Sequence, residues 1–283
     1  MNLSKAIPKI EFPSNREPVR FPVSEPLVHL NDFFDCDSRY NHWCPGGGAP
    51  LPGSSPIIVA RKSVFLRFVD AQGLLPHGFK FKVFDAYRTV ALQQALWNHY
   101  RKEKRAENPG ASEEEIDRLT ALCVSFPSYN ILEPSPHNTG GAVDLTITDR
   151  DGKELDMGCG FDDFGCRAWT NHFEPDCEDG ERNDEVMRNR RLLYNVMTAA
   201  GFTNLPSKWW HYDYGDDKWA QLTGCRPIYS GVLDAGIEGT EPYDGASEVR
   251  SCESAQRAVL NGPDALEKCR ALSARLLLEL EGK

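Results

Sequence analysis

The chain of 283 residues is 40% hydrophobic and 26% charged, proportions that allow a globular protein with a sizeable buried core. Its formal net charge of -10, without a cluster of Lys and Arg, excludes the basic surface typical of nucleic-acid-binding proteins. No apolar run is long enough for a signal peptide or a membrane span, so we expect a cytoplasmic protein without nucleic-acid or membrane partners.

The N-terminal half alternates turn-forming segments with periodic ones. Residues 1 to about 27 predict a proline-rich arm lying on the body, and the run of turn formers at 41–55 predicts a loop that shapes a pocket. Apolar residues at helical spacing predict a helix over 63–72, and apolar–basic alternation predicts a strand over 79–85. A further helix is predicted over 91–104. The capping-box sequence Ser112-x-x-Glu115 predicts another helix that runs to about Cys123.

The C-terminal half continues with strands and one long helix. Alternating β-branched residues predict a strand over 142–148, with a turn at 149–152. A helix is predicted over 184–200, where Gly201 ends it, and the aromatic run at 209–214 predicts a strand. After about Gly236 a polar stretch leads into a helix that we expect to pack on the body. Its apolar stripe consists of Leu272, Leu276, Leu277 and Leu280.

Nine cysteines are scattered along the chain, without any Cys-x-x-Cys pair. An odd, dispersed set argues against a complete disulfide framework and against a thiolate zinc cluster. We therefore expect most of the thiols to be reduced and structural. A bridge from Cys44 to Cys36 or to Cys177 stays open only for an exported protein.

A histidine and an aspartate flank a glycine pair in the segment at 135–144. The glycines let the backbone turn tightly, so that His137 and Asp144 can converge on one point. Imidazole and carboxylate are ligands that a catalytic zinc prefers, and His211 on the aromatic strand offers another imidazole. The three residues predict a single metal site, although a set of two histidines and one aspartate also suits iron.

An arginine follows the strand at 79–85. At the end of a strand, Arg88 can stabilise an oxyanion or clamp a carboxylate. Taken singly, a buried histidine is more often a core residue and an arginine near a turn is more often a surface charge. The combination of these residues is what predicts a catalytic site.

Five segments resemble the D-alanyl-D-alanine dipeptidases of the VanX type, in the correct order from about Pro56 to Trp219. They read FDAYRTVALQQALW, SPHNTGGAVDLT, ELDMGCGFDDF, RNRRLLYNVMTAAGF and GFTNLPSKWWHYDYGD. The resemblance implies an α+β protein of the hedgehog/DD-peptidase fold, with a small central antiparallel sheet flanked by helices. It divides the chain into an arm and pocket loop (1–55), a zinc dipeptidase-like domain (56–234) and a helical C-terminal extension packed on the body (235–283).

The resemblance also implies a role for each site residue. One Zn²⁺ per chain would be bound by His137, Asp144 and His211. Arg88 would stabilise the tetrahedral intermediate. The substrate-binding residues would be Ser135, which lines the pocket, Asp162, which receives the free amino group, and Asp85, which supports the arginine segment.

One residue departs from the family pattern, which ends in Glu-Trp-Trp-His. There the glutamate takes a proton from water and passes it to the leaving amine, whereas this chain has Lys208 in its place. Three interpretations stay open. Lys208 points away and activity is weak; or it serves as an unusual base or electrophile; or another carboxylate replaces the lost one, the candidates being Glu133, Asp213 and Asp163.

Cys159 lies where the family commonly has threonine, and we expect it to be structural. The sequence therefore predicts a zinc-dependent metallohydrolase, weakened or altered by Lys208, that cleaves a small dipeptide or amide. The alternative is a zinc-binding pseudoenzyme that binds a dipeptide-like ligand without efficient hydrolysis.

Overall fold

The computed structural model describes residues 2–13, 18–20, 22–23, 25–42 and 49–233. The predicted helical extension at 235–283 and the central part of the loop at 41–55 lie outside these ranges. Within them the strands are β1 (Leu27–His29), β2 (Asp35–Cys36), β3 (Val59–Arg61), β4 (Lys80–Asp85), β5 (Ala142–Thr148), β6 (Thr203–Asn204) and β7 (His211–Asp213). The helices are α1 (Arg39–His42), α2 (Lys62–Leu74), α3 (Val90–Glu107), α4 (Glu113–Cys123), α5 (Asp184–Ala199) and α6 (Asp217–Thr223).

The main sheet has five strands in the order β2-β4-β5-β7-β6, and β1 pairs with β3 in a separate ribbon. The α+β class predicted from the sequence is confirmed. The expected central antiparallel sheet consists of β4, β5, β7 and β6, and at one edge β2 is added parallel to β4. The chain between these two strands contains β3 and α2, and a crossover of that length is what a parallel pair requires.

Strand β5 lies at the centre of the sheet and is buried along its whole length. Its residues alternate between the two faces, as in any strand. Ile147 lies opposite Phe81 of β4, which stacks on Phe68 of α2 with the ring centroids 4.8 Å apart. The other face carries Asp144 and Thr146, so one side of β5 serves the core and the other presents polar groups.

The four helices predicted between residues 63 and 200 are confirmed as α2, α3, α4 and α5, including the capped start of α4. The side chain of Ser112 accepts a hydrogen bond from the backbone N–H of Glu115, as the capping box requires. Helices α3 and α4 pack together and bury a second apolar cluster, separate from the main core. The buried members of this cluster are Tyr40, Leu92, Leu96, Trp97, Tyr100, Cys123 and Val124.

The predicted aromatic strand is shorter than the sequence pattern suggests. Strand β7 begins only at His211, because the two tryptophans before it lie in a turn. The backbone N–H of Trp209 donates to Ala168 in a neighbouring loop at 2.9 Å, rather than to a strand partner. Both indole rings are buried and fill the region behind the strand.

The described part of the arm is attached to the body by backbone hydrogen bonds. The N–H of Ile7 donates to Glu174 at 3.0 Å, and the N–H of Val19 donates to Leu132 at 3.0 Å. None of the helices in the described ranges has the length and apolarity that crossing a membrane requires.

Six cysteines belong to the described part of the chain, and all of them are free thiols. Cys36 and Cys177 are among them, whereas Cys44, their suggested partner, lies outside it. Cys159 is partly buried, with its Sγ 3.7 Å from a guanidinium nitrogen of Arg190.

The glycine pair before β5 is held closely by its surroundings. Gly140 adopts a left-handed φ of 74°, and a Cβ on Gly141 would collide with the backbone carbonyl of Tyr214.

We expect Gly141→Ala to lower the free energy of unfolding by about 1–3 kcal/mol, the usual cost of overpacking. Urea unfolding followed by circular dichroism measures this. Gly110→Ala is the matched control, because nothing lies within 4 Å of its added Cβ. A loss in the control as large as that at Gly141 would contradict the steric explanation.

Candidate functional site

Three polar residues form a row across the middle of the sheet. Asp144 of β5 lies directly opposite Asp85 of β4 on one side and His211 of β7 on the other. The register of β4 against β5 shifts between Val83 and Asp85. This bulge brings Asp85 opposite Asp144 and thereby onto the same face of the sheet.

His137 joins the row from a 3₁₀ turn (Pro136–Thr139) that precedes β5. Its Nδ1 lies 2.6 Å from the carbonyl oxygen of Ala86, which fixes the ring. Its Nε2 lies 3.2 Å from Nδ1 of His211 and 3.4 Å from Oδ2 of Asp144. One donor atom from each of the three side chains fits within 4.8 Å of the others, and all three residues are buried.

The second ring nitrogen of His211 also has a partner. Its Nε2 lies 2.8 Å from Oδ1 of Asp213, a fully buried carboxylate two residues further along β7. Burial, reinforced by the charge of Asp213, raises the pKa of Asp216 well above its usual range. Burial alone would raise the pKa of Asp213 too, but the charge of His211 and its hydrogen bond lower it. Histidines that bind metals usually donate their other N–H to a carbonyl or carboxylate, and both histidines here do so.

The electrostatics of the row favour positive charge at its centre. Burial alone would lower the pKa of His211, but Asp213 and Asp144 outweigh it and raise that pKa to about 9. Burial alone would raise the pKa of Asp144, but the two histidines bring it far below its ordinary value. Carboxylates that hold a proton on His211 also stabilise a metal ion, which displaces such protons on binding. The donor set therefore fits a divalent metal ion.

Arg88 lies beside this row and is held by Asp85. Its Nε and Nη2 donate to Oδ2 of Asp85 at 2.9 and 2.7 Å, and Nη1 donates to Gln93 at 3.0 Å. Its Nη2 lies 3.7 Å from Asp144. Asp85 is not among the described residues that line the pocket, so its grouping with the substrate-binding residues stays a prediction. Asp85 accepts two hydrogen bonds from Arg88, and its predicted support of the arginine segment requires this contact.

The three predicted ligands open into a pocket between the sheet and the α3–α4 wall. Ser135 and Asp162 line it, together with Arg88. The hydroxyls of Tyr40 and Tyr100 both donate to Oδ2 of Asp162, at 2.8 and 3.1 Å. Asp162 has a left-handed φ of 63°, and burial raises the pKa of its carboxyl group to about 6.

Sequence reasoning missed the two tyrosines. A signal for Tyr100 existed, because Gln93, Leu96 and Tyr100 follow helical spacing on one face of α3 and all line the pocket. Tyr40 gave no comparable signal, since it lies in a four-residue helix after the first strands.

Lys208 lies in the same pocket and does not point away from it. Its Nζ donates to the carbonyl of Cys123 at 2.6 Å, at the C-terminal end of α4, and lies 5.0 Å from the ring centroid of Phe164. Burial lowers the pKa of this amine. A helix C-terminus favours a cation, so this contact stabilises the ammonium form.

The carboxylates suggested as replacements for the missing glutamate are not in the pocket. Glu133 and Asp163 are exposed on loops, and Asp213 contacts the side of His211 that faces away from the other ligands. Among the described residues, the carboxylates that line the pocket are Asp144 and Asp162. The proposed replacement by Glu133, Asp163 or Asp213 is therefore wrong.

Comparison with known proteins gives one family over most of the chain. Residues 36–227 match the family model Peptidase M15, described as D-ala-D-ala dipeptidase. A D-alanyl-D-alanine dipeptidase of Synechocystis sp. is 33% identical over 210 residues, covering 69% of this chain and 84% of the relative. One of Escherichia coli (strain K12) is 31% identical over 138 residues, covering 48% of this chain and 55% of the relative.

A solved structure was also matched, a mutant of the vancomycin resistance D,D-pentapeptidase VanY in complex with Zn(II). The TM-score is 0.33 at 18% sequence identity, and the match covers 60% of this chain and 82% of that one. A likeness of this size adds nothing to the family match.

The carboxylate behind His211 gives a first test of the site. Asp213→Asn leaves an acceptor in place but removes the charge, so we expect metal affinity to fall about 10–100-fold while the fold is kept. Competition with a chromophoric chelator measures the affinity. Asp163→Asn makes the same change on an exposed loop and is expected to leave the affinity unchanged. Equal affinities for Asp213→Asn and the natural protein would mean that this carboxylate does not support His211.

The buried carboxyl group of Asp162 predicts a pH dependence of stability. Since folding raises its pKa from 3.8 to about 6, the folded protein loses stability as pH rises between these values. Asp162→Asn removes this cost, and asparagine also tolerates a left-handed φ. We expect the metal-free variant to be more stable than the natural protein above about pH 6, by about 1–2 kcal/mol. The difference should vanish below about pH 4, and unfolding curves across this range would show it. A constant difference at every pH would contradict the raised pKa.

Proposed function

We propose a function for this chain on the premise of its family: it belongs to Peptidase M15, the D-Ala-D-Ala dipeptidases. The proposed activity is zinc-dependent hydrolysis of a small dipeptide or related amide, weakened by Lys208. One observation carries it. Donor atoms of His137, Asp144 and His211 lie within 4.8 Å of one another, in a pocket that also contains Arg88.

Zinc is supported by the chemistry of the donor set. Two imidazoles and one carboxylate are a common set for catalytic zinc, and the remaining nitrogen of each histidine already has a partner. When bound, a zinc ion supplies Lewis acidity toward a scissile carbonyl and toward water. The metal is therefore expected in one copy per chain.

The substrate would be oriented by residues on either side of the ligands. Arg88 would stabilise negative charge that develops on the carbonyl oxygen. Because Asp85 and Gln93 already fix its guanidinium, no reorganisation is needed during the reaction. Asp162 would receive the amino group of a dipeptide. Both tyrosine hydroxyls donate to its Oδ2, which leaves Oδ1 to accept from a substrate. Ser135 would line the pocket beside them.

The weak step is removal of a proton from water. The ammonium group of Lys208 has no free electron pair, and its contact with the Cys123 carbonyl favours that protonated form. Loss of a general base commonly costs about 10²–10⁴-fold in rate. We therefore expect slow hydrolysis rather than none, because the ligands and Arg88 are retained.

A second candidate function is a zinc-binding pseudoenzyme that holds a dipeptide-like ligand without efficient hydrolysis. It is favoured by one specific observation: Lys208 lies inside the pocket, where the family has its glutamate. The two candidates predict the same metal site and differ only in turnover.

Zinc content and dipeptide hydrolysis test the proposal together. We expect near-stoichiometric zinc in the purified protein and slow release of D-alanine from D-Ala-D-Ala. Lys208→Glu should raise kcat by about 10²-fold or more, since it restores a carboxylate base. Lys208→Gln is the matched control, because it removes the charge without supplying a base, and we expect it to remain slow.

Each outcome has a distinct meaning. Hydrolysis that stays undetectable in the natural protein but appears in Lys208→Glu favours the pseudoenzyme. Fast hydrolysis by the natural protein that Lys208→Ala abolishes would make Lys208 the base and contradict the weakened-base proposal. Absence of bound metal after preparation without chelators would remove the basis for both.

A further inference from the structure

The ammonium group of Lys208 makes its direct contacts with uncharged groups, although the charges of Asp144 and Asp162 in the same pocket act on it from a longer distance. Its Nζ donates to the Cys123 carbonyl at 2.6 Å and lies 5.0 Å from the ring centroid of Phe164. In the part of the chain that the structure describes, no carboxylate lies within ion-pairing distance of this nitrogen. A lysine ammonium has three donor hydrogens, so the bond to Cys123 leaves two of them for other acceptors.

Three other charged groups of the pocket already have polar protein partners. Arg88 is bound twice by Asp85, and Asp144 lies between two histidines. Asp162 accepts hydrogen bonds from two tyrosine hydroxyls. Lys208 differs from these three groups, because the groups in direct contact with its ammonium carry no charge.

An unpaired charge in a semi-buried place is costly, and the carbonyl and the aromatic ring offset only part of that cost. A ligand that brings a carboxylate to Nζ would supply the missing partner and gain a charge-assisted hydrogen bond. A ligand that brings an ammonium group would meet repulsion from Lys208. The same lysine also acts electrostatically on Asp162, the residue proposed to receive a substrate amino group, and so weakens its attraction for one.

We propose that Lys208 is a specificity-determining residue, which makes this pocket bind a small carboxylate whose amino group is absent or acylated. This inference rests on the proposed function, since it concerns the same pocket, and it names a ligand class other than a free dipeptide. The chemical class is that of N-acyl amino acids and simple carboxylic acids. The ligand carboxylate lies against Nζ of Lys208, beside the metal ligands.

Two probes with the same skeleton and opposite charge test this preference. N-acetyl-D-alanine is an anion without an amine, and D-alaninamide is a cation without a carboxylate. Isothermal titration calorimetry of the zinc-loaded full chain should show tighter binding of N-acetyl-D-alanine. Lys208→Met keeps the length of the side chain without its charge, and it should weaken that binding about tenfold or more.

Further variants separate a direct contact from a general effect. Lys208→Arg keeps the charge and should retain the affinity for N-acetyl-D-alanine within about threefold, whereas Lys208→Glu should reverse the preference in favour of D-alaninamide. Lys153→Met is the matched control. Lys153 is exposed near the turn that follows β5 and does not line the pocket, so we expect less than about a twofold effect from its removal. Circular dichroism and zinc content of each variant show that fold and metal are kept.

Two results would overturn the inference. One is tighter binding of D-alaninamide than of N-acetyl-D-alanine by the natural protein, and the other is equal weakening of N-acetyl-D-alanine binding by Lys208→Met and Lys153→Met. Its failure is distinguishable from failure of the proposed function. Bound zinc and slow D-Ala-D-Ala hydrolysis, with no effect of Lys208→Met on either probe, contradict the inference alone. A protein that takes up no zinc, yet binds N-acetyl-D-alanine in a Lys208-dependent manner, contradicts the proposed function alone.

Discussion

The register of three strands is the constraint on which the site depends. Asp144 on the central strand lies opposite Asp85 on one side and His211 on the other, so carboxylates and an imidazole are buried side by side. Buried charges are tolerated only when they are paired. Here each carboxylate has a cationic or imidazole partner, and the bulge in β4 is what brings Asp85 into the row.

The geometry of this row is fixed by contacts to the ring nitrogens that face away from its centre. Ala86 holds the ring of His137 from the end of β4, and Asp213 holds the ring of His211 from within β7. Because both contacts come from the same strands that set the register, ring orientation follows from backbone pairing rather than from flexible loops. Outer contacts of this kind fix which nitrogen faces a metal. The fold thus sets the directions of the donor atoms that we propose as metal ligands.

The sequence predicts those structural features that depend on residues close together in the chain. The Ser112 cap and the alternation in β5 depend on neighbouring residues, and both were predicted correctly. Tyr40, by contrast, reaches Asp162 across 122 positions, a pairing that no local pattern contains. The start of β7 is predicted two residues too early for a similar reason, since the backbone N–H of Trp209 donates to Ala168, far back along the chain. The register that assembles the site is likewise a long-range property, although the residue types pointed to its chemistry.

The position of Lys208 changes what the missing glutamate means. If the lysine pointed to solvent, the pocket would lack a base, but the charge of the lysine would not act on ligands inside the pocket. Instead the ammonium group is held inside by the Cys123 carbonyl, so a positive group lies where the resemblance to the dipeptidases implies a negative one. Under the proposed function, such an exchange alters two properties at once, because the base that accepts the proton and the charge that selects the substrate would reside at one position. The proposal therefore couples catalytic rate and ligand charge preference through this single side chain.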